Sequence, residues 1–324
     1  MNRICKVLMI SSVLLGCSTE ENTKPKLNLQ KDSVTVSGIS SGGYMAHQFH
    51  IAYSDQVSGA ALLASGPFGC ARGDLQIALA ECVNSESPPT AESLMPYLKV
   101  AASRGDIAAL ENLQDDKVWI LHGTQDNRVS RKVTEVQQAL YENLGVKVDT
   151  QYELAVGHGF PTVDSGVACD ASESPHINQC NFDGAGEILK VLYGEVNSKT
   201  QVTGELVAFD QGQFLDEGQS NTLADTGYLY VPTACKNGEV CRIHIAFHGC
   251  SQNVDSVERA FVENAGYNAW AESNRVVVIY PQTKSSYMPL NPKACWDWWG
   301  YTGTNYQSRN GAQLKQIHNM VTRL

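Results

Sequence analysis

The chain has 324 residues, 43% of them hydrophobic, and a formal net charge of −10. That is enough apolar material for one large domain with a deep core, or for two small ones. The acids are dispersed and no basic stripe interrupts them, which argues against nucleic acid as a partner and against electrostatic binding to anionic lipid.

At the start of the chain, Arg3 and Lys6 precede a mostly apolar run, 7–15, too short to span a bilayer. Leu14-Leu15-Gly16-Cys17 then resembles a bacterial lipobox. The expectation is a signal peptide over 1–16, cleavage before Cys17, and lipid on the sulfur and amine of that residue. An ordinary signal peptide is the alternative. Ser18 at the next position fits the pattern retained in the outer membrane, on the periplasmic or the cell-surface face. Residues 17–30 are polar and read as a flexible tether, leaving 31–324 as the folded domain.

The alternating run 33–37 leads into Gly38-Ile39-Ser40-Ser41-Gly42 and a helix-like stretch, 43–53. Strand, sharp turn and helix in that order make a nucleophile elbow, which pushes one serine hydroxyl out of the backbone. The turn tolerates little bulk two residues either side of the nucleophile. Ser40 has Gly38 and Gly42 there, whereas Ser41 would have Ile39 and Gly43, so Ser40 is the candidate. A glycine-rich turn capping a helix is the plainer reading of the same residues.

Short apolar runs then alternate with helical patterns: strands at 57–64, 117–123 and 147–155, helices at 130–144 and 185–193. The pattern restarts with strands at 205–209, 227–231 and 242–247, a helix over 256–273, a nearly continuous apolar strand at 275–280, and a helix over 311–324. This is an α/β layer fold with a mostly parallel central sheet and helices on both faces. No internal linker divides it, so a single domain is expected.

An activated serine needs a base, and the base needs an orienting carboxylate. Asp126 follows the strand at 117–123, and His158 follows the strand at 147–155, so the order serine, acid, histidine is that of α/β hydrolases. A helix cap and a turn residue are the plainer readings of these two. The amide of Ser41 is one candidate for the oxyanion hole. The second comes from Phe247-His248-Gly249-Cys250, which has the right local context but follows the triad in sequence. A circular permutation accounts for that order, with 201–324 supplying the first half of an ordinary hydrolase and 31–194 the second. His47 and His50, His244 and His248, and His122 form no zinc motif, while His176 and His318 read as surface residues, so neither metal nor cofactor is expected.

Ten cysteines are present. Cys5 leaves with the signal and Cys17 carries lipid, so eight remain in an exported protein, which favours disulfides. Many connectivities are open. Local spacing suggests Cys70–Cys82, Cys169–Cys180 and Cys235–Cys241, leaving Cys250–Cys295 as the long-range pair.

Taken together, SVTVSGISSGGYMA, GHGFPT, NQCNFDGAG, TGYLYVPTAC, IHIAFHGCSQN, VVVIYPQ and CWDWWG resemble the circularly permuted, single-domain extracellular polyhydroxybutyrate depolymerases. The stretches cover most of 31–301. The resemblance implies a permuted α/β-hydrolase fold, Ser40 as nucleophile, Asp126 as acid, His158 as base, and Ser41 and Cys250 as oxyanion donors. It also implies the four disulfides above and a tryptophan in the polymer crevice, Trp298 first and Trp296 second. An aromatic cluster packed beside Cys295 is the plainer reading of those tryptophans. The implied activity is an esterase on short-chain polyhydroxyalkanoate or its oligomers. The alternatives are a feruloyl or acetyl esterase and a lipoprotein that binds polymer without cutting it. A monomer is expected, touching membrane only through Cys17. A lipid anchor departs from the soluble members of the family.

Overall fold

A computed structural model describes residues 27–324. The expected signal peptide, the lipidation site Cys17 and residues 17–26 of the expected tether lie outside the described residues. The first strand, β1, runs over Asn28–Ile39, so it starts three residues inside the segment expected as tether. The next strands are β2 (Val57–Leu63), β3 (Lys117–Leu121) and β4 (Val148–Gln151). Three short strands, β5 (Phe160–Thr162), β6 (Val167–Ala168) and β7 (Ile177–Gln179), make a small separate sheet. Then come β8 (Glu205–Asp210), β9 (Thr226–Val231), β10 (Val240–Phe247) and β11 (Val276–Tyr280), followed by a hairpin of β12 (Ser286–Tyr287) and β13 (Leu290–Asn291).

Eight strands form the main sheet in the order β4-β3-β2-β1-β10-β11-β9-β8. The first six run parallel, and β9 and β8 close the far edge antiparallel. Because side chains alternate along a strand, each central strand feeds two cores. Ala60 and Leu62 of β2, Val118 and Ile120 of β3, Ile243 and Ile245 of β10, and Val277 and Ile279 of β11 pack on one face. Ala61, Leu63, Trp119, Leu121, Ala246, Val276 and Val278 pack on the other. Both faces are covered, which explains why β11 reads as an unbroken apolar run.

The helices include α1 (Ser41–Ala52), α2 (Leu75–Glu81), α3 (Ala91–Ser103), α4 (Arg131–Asn143) and α5 (Gly184–Tyr193), with a C-terminal helix at Ala312–Arg323. Two departures from the sequence expectation have local causes. The helix expected over 256–273 is three pieces, Val254–Val257, Ala260–Asn264 and Tyr267–Asn274, because Glu258 (φ 53°) and Gly266 (φ 91°) turn left-handed between them. The strand expected over 147–155 stops at Gln151, and the chain leaves the sheet to hydrogen-bond the acid loop: the Thr124 and Gln125 amides donate to the Leu154 and Val156 carbonyls at 2.9 and 3.2 Å.

All four suggested cysteine pairs are joined: Cys70–Cys82, Cys169–Cys180, Cys235–Cys241 and Cys250–Cys295.

Candidate active site

In register, Gly38 of β1 faces Phe247 of β10, Ile39 faces Leu63 of β2, and Leu63 faces Leu121 of β3, itself opposite Gln151 of β4. The loops after β1, β3, β4 and β10 therefore leave one edge of the sheet at one level. This is the carboxyl end of the parallel strands, where open α/β sheets place their ligands.

Ser40 joins β1 to α1 with φ 55° and ψ −125°, a strained conformation for a residue with a Cβ. Its amide donates to Leu63 O at 2.9 Å and its carbonyl accepts from Tyr44 at 3.1 Å, so both flanks hold the bend. The two glycines permit it. A Cβ on Gly38 would lie 2.1 Å from Gly42 O, and one on Gly42 would lie 2.3 Å from Phe247 O. Ser41 is the first residue of α1, so its amide has no partner within the helix and sits at the helix's positive end.

His158 is held from several sides. Its Nδ1 donates to Asp126 Oδ2 at 2.8 Å, and its amide donates to Ser172 Oγ at 2.8 Å. The amide of Gly157 donates to the carbonyl of Cys169, a disulfide residue, at 2.8 Å. Buried Asn178 shares its Nδ2 protons among the carbonyls of Ala168, Cys169 and Ala171 at 3.1, 2.9 and 2.7 Å, clamping the same loop.

Asp126 has a fully buried side chain, and its Oδ1 accepts from the amides of Arg128 and Val129 at 2.8 and 3.1 Å. Burial pushes its pKa up, but the His158 hydrogen bond and charge and those two amides outweigh it, leaving the carboxyl below its ordinary range. His122 Nε2 donates to Val129 O at 2.9 Å and so steadies the acid loop from behind.

The loop after β10 carries Cys250. Gly249 donates its amide to Gln252 Oε1 at 2.7 Å, and Gln252 Nε2 donates to the carbonyls of Pro175 and His176 at 3.2 and 2.9 Å, tying this loop to the His158 loop. Cys250 is joined to Cys295, and the Trp296 amide donates to Ser41 Oγ at 3.3 Å.

A cleft of about 500 Å³ opens over these loops. Ser40, Ser41, His158, Cys250 and Trp298 line it, with Asp126 behind His158. Trp298 stacks on Tyr44 with ring centroids 4.3 Å apart. Trp296 does not reach the cleft. It is 0% exposed, donates from Nε1 to His248 O at 2.9 Å and packs against Phe247, so it is a strut under the site and not a substrate contact. His176, expected on the surface, is half-buried and lines the cleft, its Nδ1 donating to His158 O at 3.3 Å. His47 and His50 are buried within α1.

The remaining apolar wall comes from Tyr44, Leu75, Leu79, Val83, Leu290 and Trp299, most of which no motif singled out. Leu75 and Leu79 belong to α2, where Ala78 is the only buried residue, so no apolar stripe marks that helix in the sequence. Among the described residues, no group of three or more His, Cys, Asp or Glu side chains is arranged to hold a metal ion.

No family model matches the chain. It is 38% identical over 308 residues to a poly(3-hydroxybutyrate) depolymerase of Delftia acidovorans, covering 93% of this chain and 61% of that protein. The chain thus spans less than two-thirds of that relative's length. It is 35% identical over 335 residues to a polyhydroxybutyrate depolymerase of Talaromyces funiculosus, covering 96% of this chain and 95% of that one. The crystal structure of a PHB depolymerase from Penicillium funiculosum matches with a TM-score of 0.85 and 34% identity, over 93% of this chain and 98% of that one. A serine-to-alanine PHB depolymerase complexed with an R3HB trimer matches with the same values. With that identity over nearly the whole of the fungal enzyme, and with the same fold, the chain belongs to the polyhydroxybutyrate depolymerase family.

Proposed function

We propose that this protein is a serine esterase that hydrolyses the ester bonds of a short-chain polyhydroxyalkanoate, or of its oligomers, through an acyl-enzyme. The observation that carries the reading is the His158–Asp126 pair at 2.8 Å, sharing one cleft with a serine on a strained elbow. With Nδ1 committed to Asp126, Nε2 is the ring nitrogen left to accept a proton. It takes the proton of Ser40 as the hydroxyl attacks the ester carbonyl, and Asp126 holds the tautomer and offsets the imidazolium charge. The amides of Ser41 and Cys250 are the donors to the tetrahedral oxyanion. His158 then protonates the departing alkoxide, and water, deprotonated by the same nitrogen, releases the acyl group from Ser40.

Relatives named for polyhydroxybutyrate support the substrate class, as does the one bound to an R3HB trimer. An apolar wall of leucines and tryptophan suits a polyester whose only polar groups are its esters. The rim offers apolar area for an insoluble chain, with Leu79 and Leu290 at the mouth and Tyr287 and Met288 exposed on the adjoining hairpin. The sheet order supports a permuted hydrolase, since β10, with its HGC loop, lies beside the elbow strand β1 despite following it by some two hundred residues. Four disulfides fit export to an oxidising compartment. The lipobox adds an outer-membrane anchor at Cys17, with the catalytic domain carried from the lipid on a polar leader.

The test is clearing of a poly(3-hydroxybutyrate) suspension by wild type and Ser40→Ala. Wild type is expected to clear it and the variant to leave it turbid. A variant that clears at the wild-type rate refutes the proposal.

A further inference from the structure

The chain carries more acids than bases, 34 against 24. The residues lining the cleft reverse that balance: two are basic, Arg128 and Lys293, and none is acidic. Both side chains are exposed, and neither has a carboxylate partner among the described residues, whereas Arg131 and Lys132, just beyond Arg128, are paired with Glu135 and Glu86. Arg128 sits on the acid loop behind His158, its amide donating to Asp126 Oδ1 at 2.8 Å, and the Lys293 carbonyl accepts from the Ser251 amide at 2.6 Å beside Cys250. His176 lies between the His158 loop and the Cys250 loop. Burial first, and then the charges of His158, Arg128 and Lys293, hold its pKa below the ordinary value. The two cations therefore share one end of the cleft, the end where His158 stands.

The direction of the chemistry gives that end a meaning. When a poly(hydroxyacid) is cut, the acyl half that stays on Ser40 carries the chain's hydroxyl terminus. The alcohol that departs carries its carboxyl terminus. His158 must protonate that alcohol, so the leaving half lies on the His158 side. For a short leaving half, the free carboxylate arrives where Arg128 and Lys293 are.

We propose that Arg128 and Lys293 form a subsite for the terminal carboxylate of the leaving fragment, so that short free-acid hydroxyalkanoate oligomers are drawn in carboxylate-end first on the leaving side. This rests on the esterase reading above. Two exposed charges near a carboxylate in a protein of opposite overall charge act mainly through unscreened attraction, worth roughly a five-fold preference at low salt.

The test measures kcat/KM for the (R)-3-hydroxybutyrate trimer as free acid and as methyl ester, at low salt and in 0.5 M (approximately) sodium chloride, for the full-length protein and for Arg128→Gln/Lys293→Gln. The quantity read is the acid-to-ester ratio within each protein, so any general loss of activity cancels. Wild type is expected to favour the acid roughly five-fold at low salt, with the ratio falling toward one in salt and in the double variant. A ratio that is unchanged by the substitutions, or a wild-type preference for the methyl ester, overturns the subsite and leaves the esterase reading standing. Hydrolysis of neither compound by wild type overturns both.

Discussion

Asp126 is the residue on which the site's electrostatics turn. It is buried, accepts three hydrogen bonds and stays ionised because they outweigh its burial. Asp126→Asn keeps the shape but loses the charge that fixes the His158 tautomer. We expect kcat on a soluble oligomer to fall by about 10³–10⁴-fold while the melting temperature stays close to wild type. A loss under ten-fold would remove Asp126 from the mechanism. Both tryptophans are buried, but Trp298 lines the cleft and Trp296 does not. Trp298→Ala takes away a cleft wall stacked on Tyr44, so it is expected to raise KM for oligomers. Trp296→Ala empties a fully buried site and should cost about 3–5 kcal/mol in denaturant unfolding. An unchanged KM for Trp298→Ala, or an unchanged unfolding midpoint for Trp296→Ala, would contradict that division. The sequence did not separate these neighbours because the CWDW stretch lies in a loop with no periodicity from which to read facing. Ser40, Asp126 and His158 could be nominated for the opposite reason: each lies on a loop after a strand that alternation or an apolar run marks in the sequence.

At the scale of elements, the strands of the sheet announce themselves, since alternation or unbroken apolar runs follow from covering both faces. Helix α1 is buried on every side and α2 on almost none, so neither shows a clear stripe. Helix α1 was read from the elbow motif that precedes it. Helix α2 and α3, the latter interrupted in pattern by Pro96, gave no signal. The loop clamps were also invisible, because a buried amide such as Asn178 looks like any turn residue until its partners are placed. Asn178→Ala leaves the carbonyls of Ala168, Cys169 and Ala171 without that donor and frees the His158 loop. We expect a loss of about 1–3 kcal/mol in stability. We also expect kcat to fall more than KM rises, because His158, the proposed base, moves while the apolar wall remains. A variant with unchanged kcat would show that the clamp does not position His158. Gly42→Ala is the sharper test of the elbow: its Cβ would meet the Phe247 and His248 carbonyls at 2.3 and 2.4 Å. The elbow and the Cys250 loop cannot both stay in place, and loss of soluble, cooperatively folding protein is the expected result.

Across the whole molecule, the buried histidines set a limit in acid. Burial holds His47 and His244 down to about 3 and His248 to about 4, against an ordinary 6.5. The fold therefore keeps all three neutral, while the unfolded chain takes up their protons once the pH drops below about 6.5. Stability must fall as pH is lowered from there toward 4, by about 1.4 kcal/mol per pH unit for each histidine once its unfolded form is protonated. Denaturant midpoints at pH 7, 5.5 and 4.5 check this, and midpoints that do not move would contradict it. The four disulfides work in the other direction by restricting the unfolded chain. Reduction should lower the melting temperature, most of all through Cys250–Cys295, which closes the longest loop with a sequence separation of 45. These features hold one arrangement in place: a serine, a histidine and a carboxylate on loops leaving one sheet edge. Mass spectrometry after treatment with a fluorophosphonate tests it most directly. The account predicts one adduct, on Ser40, formed at least about 10³-fold more slowly in His158→Ala. An adduct on Ser41 or elsewhere, or a rate indifferent to His158, would contradict it.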